Sequence, residues 1–294
     1  MPIIRLLAVC CLLLLLATVC RAATVDTIRI ASPEMGKDYK AVVVLPDGYA
    51  EDGPDHPVLY LLHGGLGHFD DWILKVPDTS MIPRLADTYG FIIVMPEGEW
   101  FSYYLDSPVR EDSQFETYLT ETVIGTIDAR YRTVAGREGR VVTGLSMGGY
   151  GSLYLSARHP DLFCAAGSMS GALNPDMMGW KLPPQATEDV ARSFAGILGP
   201  KEGNAAVYAD ANVLAYAEAM RTNDVALTIA CGIDDFLIEP NRELHRRLVF
   251  NGTPHDYLER PGGHSWEFWG STLPYQVLFF SKVLEERGTL VSGQ

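Results

Sequence analysis

The sequence predicts an α/β fold: a doubly wound, mostly parallel sheet with helices on both faces. Three observations carry that expectation. Continuous apolar runs of strand length, at residues 57–62 and 91–95, read as central strands covered on both sides. Segments of helical spacing alternate with such runs, as they do in βα units. The β-branched run at 140–143 ends in Gly144-Leu145-Ser146-Met147-Gly148 and continues into the helix-like residues 152–157, a strand, a sharp turn and a helix.

In order along the chain, residues 25–30 and 39–45 are expected to be strands joined by a turn at 33–36, and residues 46–55 are rich in turn formers. The apolar strand at 57–62 leads into His63-Gly64-Gly65-Leu66-Gly67-His68. A helix is expected at 81–89, a strand at 91–95, and an aromatic loop at 100–104. A helix at 114–130 follows from Phe115, Leu119, Val123 and Ile127, four positions apart. Residues 161–170 read as a strand. Residues 171–211, with their prolines, glycines, methionines and Trp180, break the alternation and are read as an insertion over the active site. Then come a helix at 213–220, a strand at 226–231, a helix at 242–250, a short strand at 256–259, and a last helix at 265–286, broken or bent near Pro274. No repeat, linker or low-complexity tract interrupts this pattern, so residues 23–294 are read as a single catalytic domain.

Residues 1–22 have a different character. Arg5 precedes an apolar run at 6–19, too short to span a membrane, and Cys20-Arg21-Ala22-Ala23 supplies small residues for a signal peptidase. A secretory signal cut after Ala22 or Ala23 is expected, placing the protein outside the cytoplasm, secreted or periplasmic. A lipoprotein cut at Cys20 is the weaker reading, because Val19 sits where a small residue belongs; a retained anchor is the other alternative. Three of the five cysteines fall in this segment. The remaining two, Cys164 and Cys231, lie at opposite ends of their expected strands and are read as buried free thiols. Removing the segment takes away two cations, Arg5 and Arg21, and shifts the net charge from −14 to −16. So acidic a chain disfavours nucleic acid and anionic membranes as partners, and no stable membrane insertion is expected after signal removal.

The chemistry starts from Ser146. Glycines two positions to either side fit a turn at which any Cβ would collide with the neighbouring strand or helix. A serine hydroxyl needs a base, and the base needs an acid to hold its tautomer. Candidates should follow strands, because functional groups collect at the C-terminal ends of a doubly wound sheet. Asp234 and Asp235 follow the strand at 226–231, and either could be the acid. Of seven histidines, His264 stands apart, in the loop Pro261-Gly262-Gly263-His264-Ser265-Trp266 beyond the last strand. It is the expected base, and the order serine, aspartate, histidine is that of the α/β-hydrolase fold. An oxyanion hole needs two donors. One is the Met147 amide at a helix start; the other is assigned to Gly65, with Leu66 as its neighbour and fallback. His63 is expected to brace that loop. A metal pair of His63 and His68 lacks a third ligand, and no metal is expected. No phosphate-cradling glycine loop with lysine and no dinucleotide fingerprint is present, so no cofactor is expected.

Taken together, Leu61-Leu62-His63-Gly64-Gly65, Gly144-Leu145-Ser146-Met147-Gly148-Gly149-Tyr150-Gly151, Cys231-Gly232-Ile233-Asp234-Asp235-Phe236-Leu237 and Pro261-Gly262-Gly263-His264 resemble the esterase D branch of the α/β-hydrolases. The branch includes tributyrin-type carboxylesterases, feruloyl and acetyl-xylan esterases, S-formylglutathione hydrolases and mycolyltransferases. The resemblance runs from about residue 39 to the last helix. It implies Asp235, just before Phe-Leu, as the acid and Gly65 as the second oxyanion donor. An export signal counts against the cytosolic S-formylglutathione hydrolases. His63 and the pair Gly148-Gly149 count against the mycolyltransferases. The resemblance therefore implies an exported serine carboxylesterase acting on a short-chain acyl or aromatic-acid ester, a small molecule or carbohydrate-linked, through an acyl-enzyme. An acyltransferase or an S-formylglutathione hydrolase-like thioesterase is the alternative, and a silent binding module is disfavoured by the intact Ser146, Asp235 and His264. Trp100, Tyr103 and Trp266 are expected to touch substrate, and Met177, Met178 and Trp180 are candidates for an acyl pocket.

Overall fold

The computed structural model describes residues 22–290. The expected signal, apart from Ala22, lies outside the described residues. Among those residues, no helix is long and apolar enough to cross a membrane.

Eight strands form one sheet: β1 Thr24–Ser32, β2 Lys37–Leu45, β3 Val58–Leu62, β4 Ile92–Pro96, β5 Arg140–Gly144, β6 Ala165–Met169, β7 Ala226–Gly232 and β8 His255–Arg260. Their spatial order is β1-β2-β4-β3-β5-β6-β7-β8. Strands β3 to β8 pair in parallel, and β2 pairs antiparallel with both β1 and β4.

The central strands are apolar throughout because both faces are covered. In β3, Val58, Tyr60 and Leu62 enter one core layer, while Leu59 and Leu61 enter the other. The first layer is closed by the helices Met147–Arg158 and Ile238–Asn251 and by the helical segments between 115 and 130; the second is closed by Met81–Tyr89 and Trp266–Glu286. This is the expected α/β architecture. From β3 the chain moves to β4 on one side and later returns to β5 on the other. The order of strands therefore reverses between β3 and β5, and ligand sites of doubly wound sheets open at such a switch point.

Several boundaries differ from expectation. The strand expected from residue 161 begins at Ala165, because 159–162 form a turn, closed by the Leu162 amide on the His159 carbonyl, that seats the following Phe163 in the core. The helix expected at 242 begins at Ile238, with Pro240 in its first turn, where a missing N–H costs nothing. The helix at 115–130 passes through a π-helical stretch, Tyr118–Val123, where the Thr120 hydroxyl donates to the Glu116 carbonyl. Trp266–Glu286 is one unbroken helix despite Pro274. Buried Leu273, Val277, Phe280 and Leu284 hold both halves against the sheet, and that packing outweighs the lost bond.

Residues 171–211 are not an extended loop. They hold the helices Pro184–Leu198 and Ala205–Asp210, the first with its apolar side, Phe194, Ile197 and Leu198, in the core.

Candidate active site

Ser146 sits between β5 and the helix Met147–Arg158 with φ 55° and ψ −114°, a strained backbone for a residue with a side chain. Its neighbours force the conformation. A Cβ on Gly144 would lie 2.7 Å from the Leu62 carbonyl oxygen, and one on Gly148 would lie 2.5 Å from the same atom. Only glycine lets the turn settle this closely against β3. The Ser146 amide donates to the Met169 carbonyl at 2.8 Å, and its own carbonyl accepts from Tyr150 and Ala172. The hydroxyl is thus raised above the strand ends on a turn tied to three elements.

The Ser146 Oγ is 3.0 Å from Nε2 of His264, whose Nδ1 is 3.1 Å from Oδ1 and 3.0 Å from Oδ2 of Asp235. Asp235 is 1% exposed, whereas Asp234 lies at the surface with its amide donating to the Gly262 carbonyl. The Leu237 amide donates to Asp235 Oδ1 at 2.9 Å, which fixes the carboxylate. Because an ionised carboxylate only accepts, His264 Nδ1 carries the proton and Nε2 is free to accept from the serine. The loop that carries His264 is seated on the turn after β7: a Cβ on Gly232 would fall 2.1 Å from the Gly262 carbonyl oxygen. The ring of His264 packs at 4.5 Å from Phe236 and edge-on at 4.8 Å from Trp269.

Gly65, after β3, and Met147, at the start of its helix, both line the space in front of Ser146. Among the described residues, neither amide has a protein acceptor, as two donors for a developing oxyanion require. The loop below them is braced by buried His63. Its Nε2 accepts from the Gly98 amide at 2.8 Å, which leaves Nδ1–H to donate to the Gly64 carbonyl at 2.8 Å. The Tyr104 hydroxyl donates to the His63 carbonyl. Burial pushes the phenols of Tyr103 and Tyr104 well above their ordinary value, so both stay protonated donors. Met147 has a role beyond its amide: its fully buried sulfur accepts from the Tyr103 amide at 3.3 Å and ties the elbow to the aromatic loop.

The cleft has a volume of about 370 Å³. Of the three residues expected to touch substrate, Tyr103 and Trp266 line it and Trp100 does not. Trp100 is 58% exposed in a separate surface groove, with its indole N–H on His68 Nε2 at 3.1 Å. Positive φ angles at Glu99 and Phe101 turn the loop so that Phe101, not Trp100, faces the serine. Trp180 lines the cleft, whereas Met177 and Met178 do not; Met178 is 75% exposed. The helix Pro184–Leu198 roofs the site: Phe194 stacks on Tyr103 at 4.0 Å, the Tyr103 hydroxyl donates to Ser193, and Val190 reaches the cleft. Phe101, Val190 and Phe236 carried no signal of this role in the sequence, since each depends on how distant segments dock. Among the described residues, no group of three or more metal-binding side chains is present. Cys164 and Cys231 are buried and unpaired, with burial holding the Cys164 thiol up at about 11.

The sequence profile of the Esterase family matches residues 32–280. The chain belongs to that family. This esterase is 29% identical over 240 residues to an acetyl esterase of Caldicellulosiruptor saccharolyticus, a match covering 79% of this chain and 86% of the relative. It is 26% identical over 288 residues to a diacylglycerol acyltransferase/mycolyltransferase of Mycolicibacterium smegmatis, covering 88% and 85%. Among solved structures, a ferulic acid esterase superposes with a TM-score of 0.72 at 26% identity, covering 90% of this chain and 99% of the other. The esterase is thus a carboxylic ester hydrolase of the α/β-hydrolase superfamily.

Proposed function

We propose that this esterase is an exported serine carboxylesterase that cleaves a short-chain acyl or aromatic-acid ester through an acyl-enzyme. The observation that carries the reading is the relay from Ser146 Oγ to His264 Nε2 and from Nδ1 to buried Asp235, each step about 3 Å long. Ser146 Oγ attacks the ester carbonyl as His264 Nε2 takes its proton, and Asp235 orients and stabilises the imidazolium. The carbonyl oxygen, now an alkoxide, receives the Gly65 and Met147 N–H groups. His264 passes the proton to the leaving alcohol, the C–O bond breaks, and water repeats the sequence on the acyl-enzyme to release acid and regenerate Ser146. A cleft of about 370 Å³ is at the small end for ligand sites, in keeping with a short chain or a single aromatic ring. Export is supported by the basic residue, apolar run and small residues at the N-terminus.

The test is hydrolysis of p-nitrophenyl esters of increasing acyl length, and of methyl ferulate, by the mature protein and by Ser146→Ala. Short esters or methyl ferulate should be cleaved by the parent and not by the variant. No hydrolysis by the parent, or equal hydrolysis by both, overturns the reading.

The mycolyltransferase relative favours one other reading, in which a bound alcohol replaces water in the second half-reaction. Product analysis with added acceptor alcohols separates the two.

A further inference from the structure

The cleft has two unlike halves. Toward the roof it is apolar: Phe101, Val190, Trp180 and Phe236. Toward the loop after β3 the wall carries Asp71, Lys75 and Trp266. Asp71 is 4% exposed, yet it bounds the cleft. Lys75 Nζ donates to its Oδ2 at 2.9 Å, and among the described residues the other oxygen, Oδ1, takes no protein donor. That oxygen is not among the buried polar atoms left without a partner, so it is open at the cleft wall, where solvent or a ligand donor completes it. Lys75 is half-exposed, so the ammonium has donors left for a second acceptor. Trp266 lines the same cleft and is held edge-on against Trp72, the residue after Asp71, and against Trp269, at 5.2 and 5.3 Å.

We propose that Asp71 and Lys75 form a specificity subsite that binds a hydroxyl group of the ester substrate, with the ring or sugar face that bears it lying against Trp266. A hydroxyl fits this pair on both counts: its O–H donates to Asp71 Oδ1 and its lone pair accepts from Lys75. A free carboxylate or phosphate is repelled by Asp71, and an alkyl chain offers Asp71 Oδ1 no donor. The hydroxyl belongs either to the alcohol part, as in a glycerol or sugar ester, or to an aromatic acyl part. The proposal rests on the hydrolase reading for its catalytic readout and has a binding readout that does not.

The catalytic test uses two matched pairs of esters, glyceryl monobutyrate against butyl butyrate and methyl 4-hydroxycinnamate against methyl cinnamate. For each, the ratio of kcat/KM for the hydroxylated ester over its partner is compared in the parent, Asp71→Ala and Lys75→Met. Because each ratio is internal to one preparation, partial misfolding cancels, and Lys75, whose side chain is half-exposed, lies outside the core. One ratio should fall about tenfold in both variants, the worth of one charge-assisted hydrogen bond. The pair that responds tells whether the hydroxyl is on the alcohol or the acyl side. Ratios that stay unchanged in both pairs overturn the subsite. If the parent cleaves no ester, the hydrolase reading fails, and calorimetry of the four esters on Ser146→Ala, with and without Lys75→Met, decides the subsite alone. Tenfold weaker binding of one hydroxylated ester sustains it, and no hydroxyl-dependent loss overturns it.

Discussion

Ser146 concentrates the cost and the use of the site. Its φ of 55° is held by Gly144 and Gly148, each with no room for a Cβ beside the Leu62 carbonyl. Gly148→Ala is therefore expected to lower stability by about 1–3 kcal/mol and to reduce activity further, as the elbow shifts; thermal unfolding and ester hydrolysis measure the two separately. Full activity with unchanged stability would contradict the close packing. The two aspartates make a second test. Asp235→Asn should lose on the order of 10⁴-fold in kcat, since an amide can present the wrong partner to His264 Nδ1. Surface-exposed Asp234, by contrast, tolerates the same change. The reverse order would move the acid to Asp234. At this scale much was legible. Ser146, Asp235, His264, Gly65 and Met147 all fall at strand ends of one sheet edge, where sequence and topology lead independently. Trp100 was not legible: the left-handed turns at Glu99 and Phe101 are made by residues that rarely adopt them, and nothing in their type announces it.

Among elements, the roof helix Pro184–Leu198 is the one the sequence described least. Its composition shows an interruption, and its amphipathic side is real, but its docking depends on Tyr103, some 90 positions away. The contact of Phe194 on Tyr103, at 4.0 Å with the rings nearly parallel, joins the helix to the loop that also holds Met147. Phe194→Ala removes a ring that is 1% exposed and should cost roughly 3 kcal/mol. Amides of residues 184–198 are expected to lose hydrogen-exchange protection, and KM should rise more than kcat falls, because the roof shapes the cleft without touching the relay. Undiminished protection would show that the helix is held by other contacts. The unbroken helix through Pro274 teaches the same lesson: local preference yields where a buried stripe fixes both halves.

At the scale of the whole molecule, helices that close one layer are tied to each other by buried charge. Glu116 is one, accepting from Arg158 and Tyr154 and lying 2.8 Å from His159, so that it joins the first core-layer helices end to end. Burial pushes its carboxyl up, but the bonds from His159 and Arg158 outweigh that and leave it below its ordinary value of 4.5. An acid depressed by folding adds stability above that ordinary value and loses it as pH falls below. Unfolding midpoints should therefore drop below about pH 4.5 more steeply for the parent than for Glu116→Gln; parallel curves would remove Glu116 from the account. The sheet itself was legible because strands covered on both faces need no alternation and stand out as apolar runs. Its order was not: the placement of β3 between β4 and β5, which sets Gly65 beside Ser146, is a property of the assembled sheet.

The proposed mechanism makes Ser146 the nucleophile of an acyl-enzyme. Brief reaction with p-nitrophenyl butyrate, an acid quench, and mass analysis of the peptide spanning the elbow test it most directly. A butyryl adduct on Ser146, absent in His264→Ala, is expected. Turnover of the ester with the adduct on another residue would contradict it.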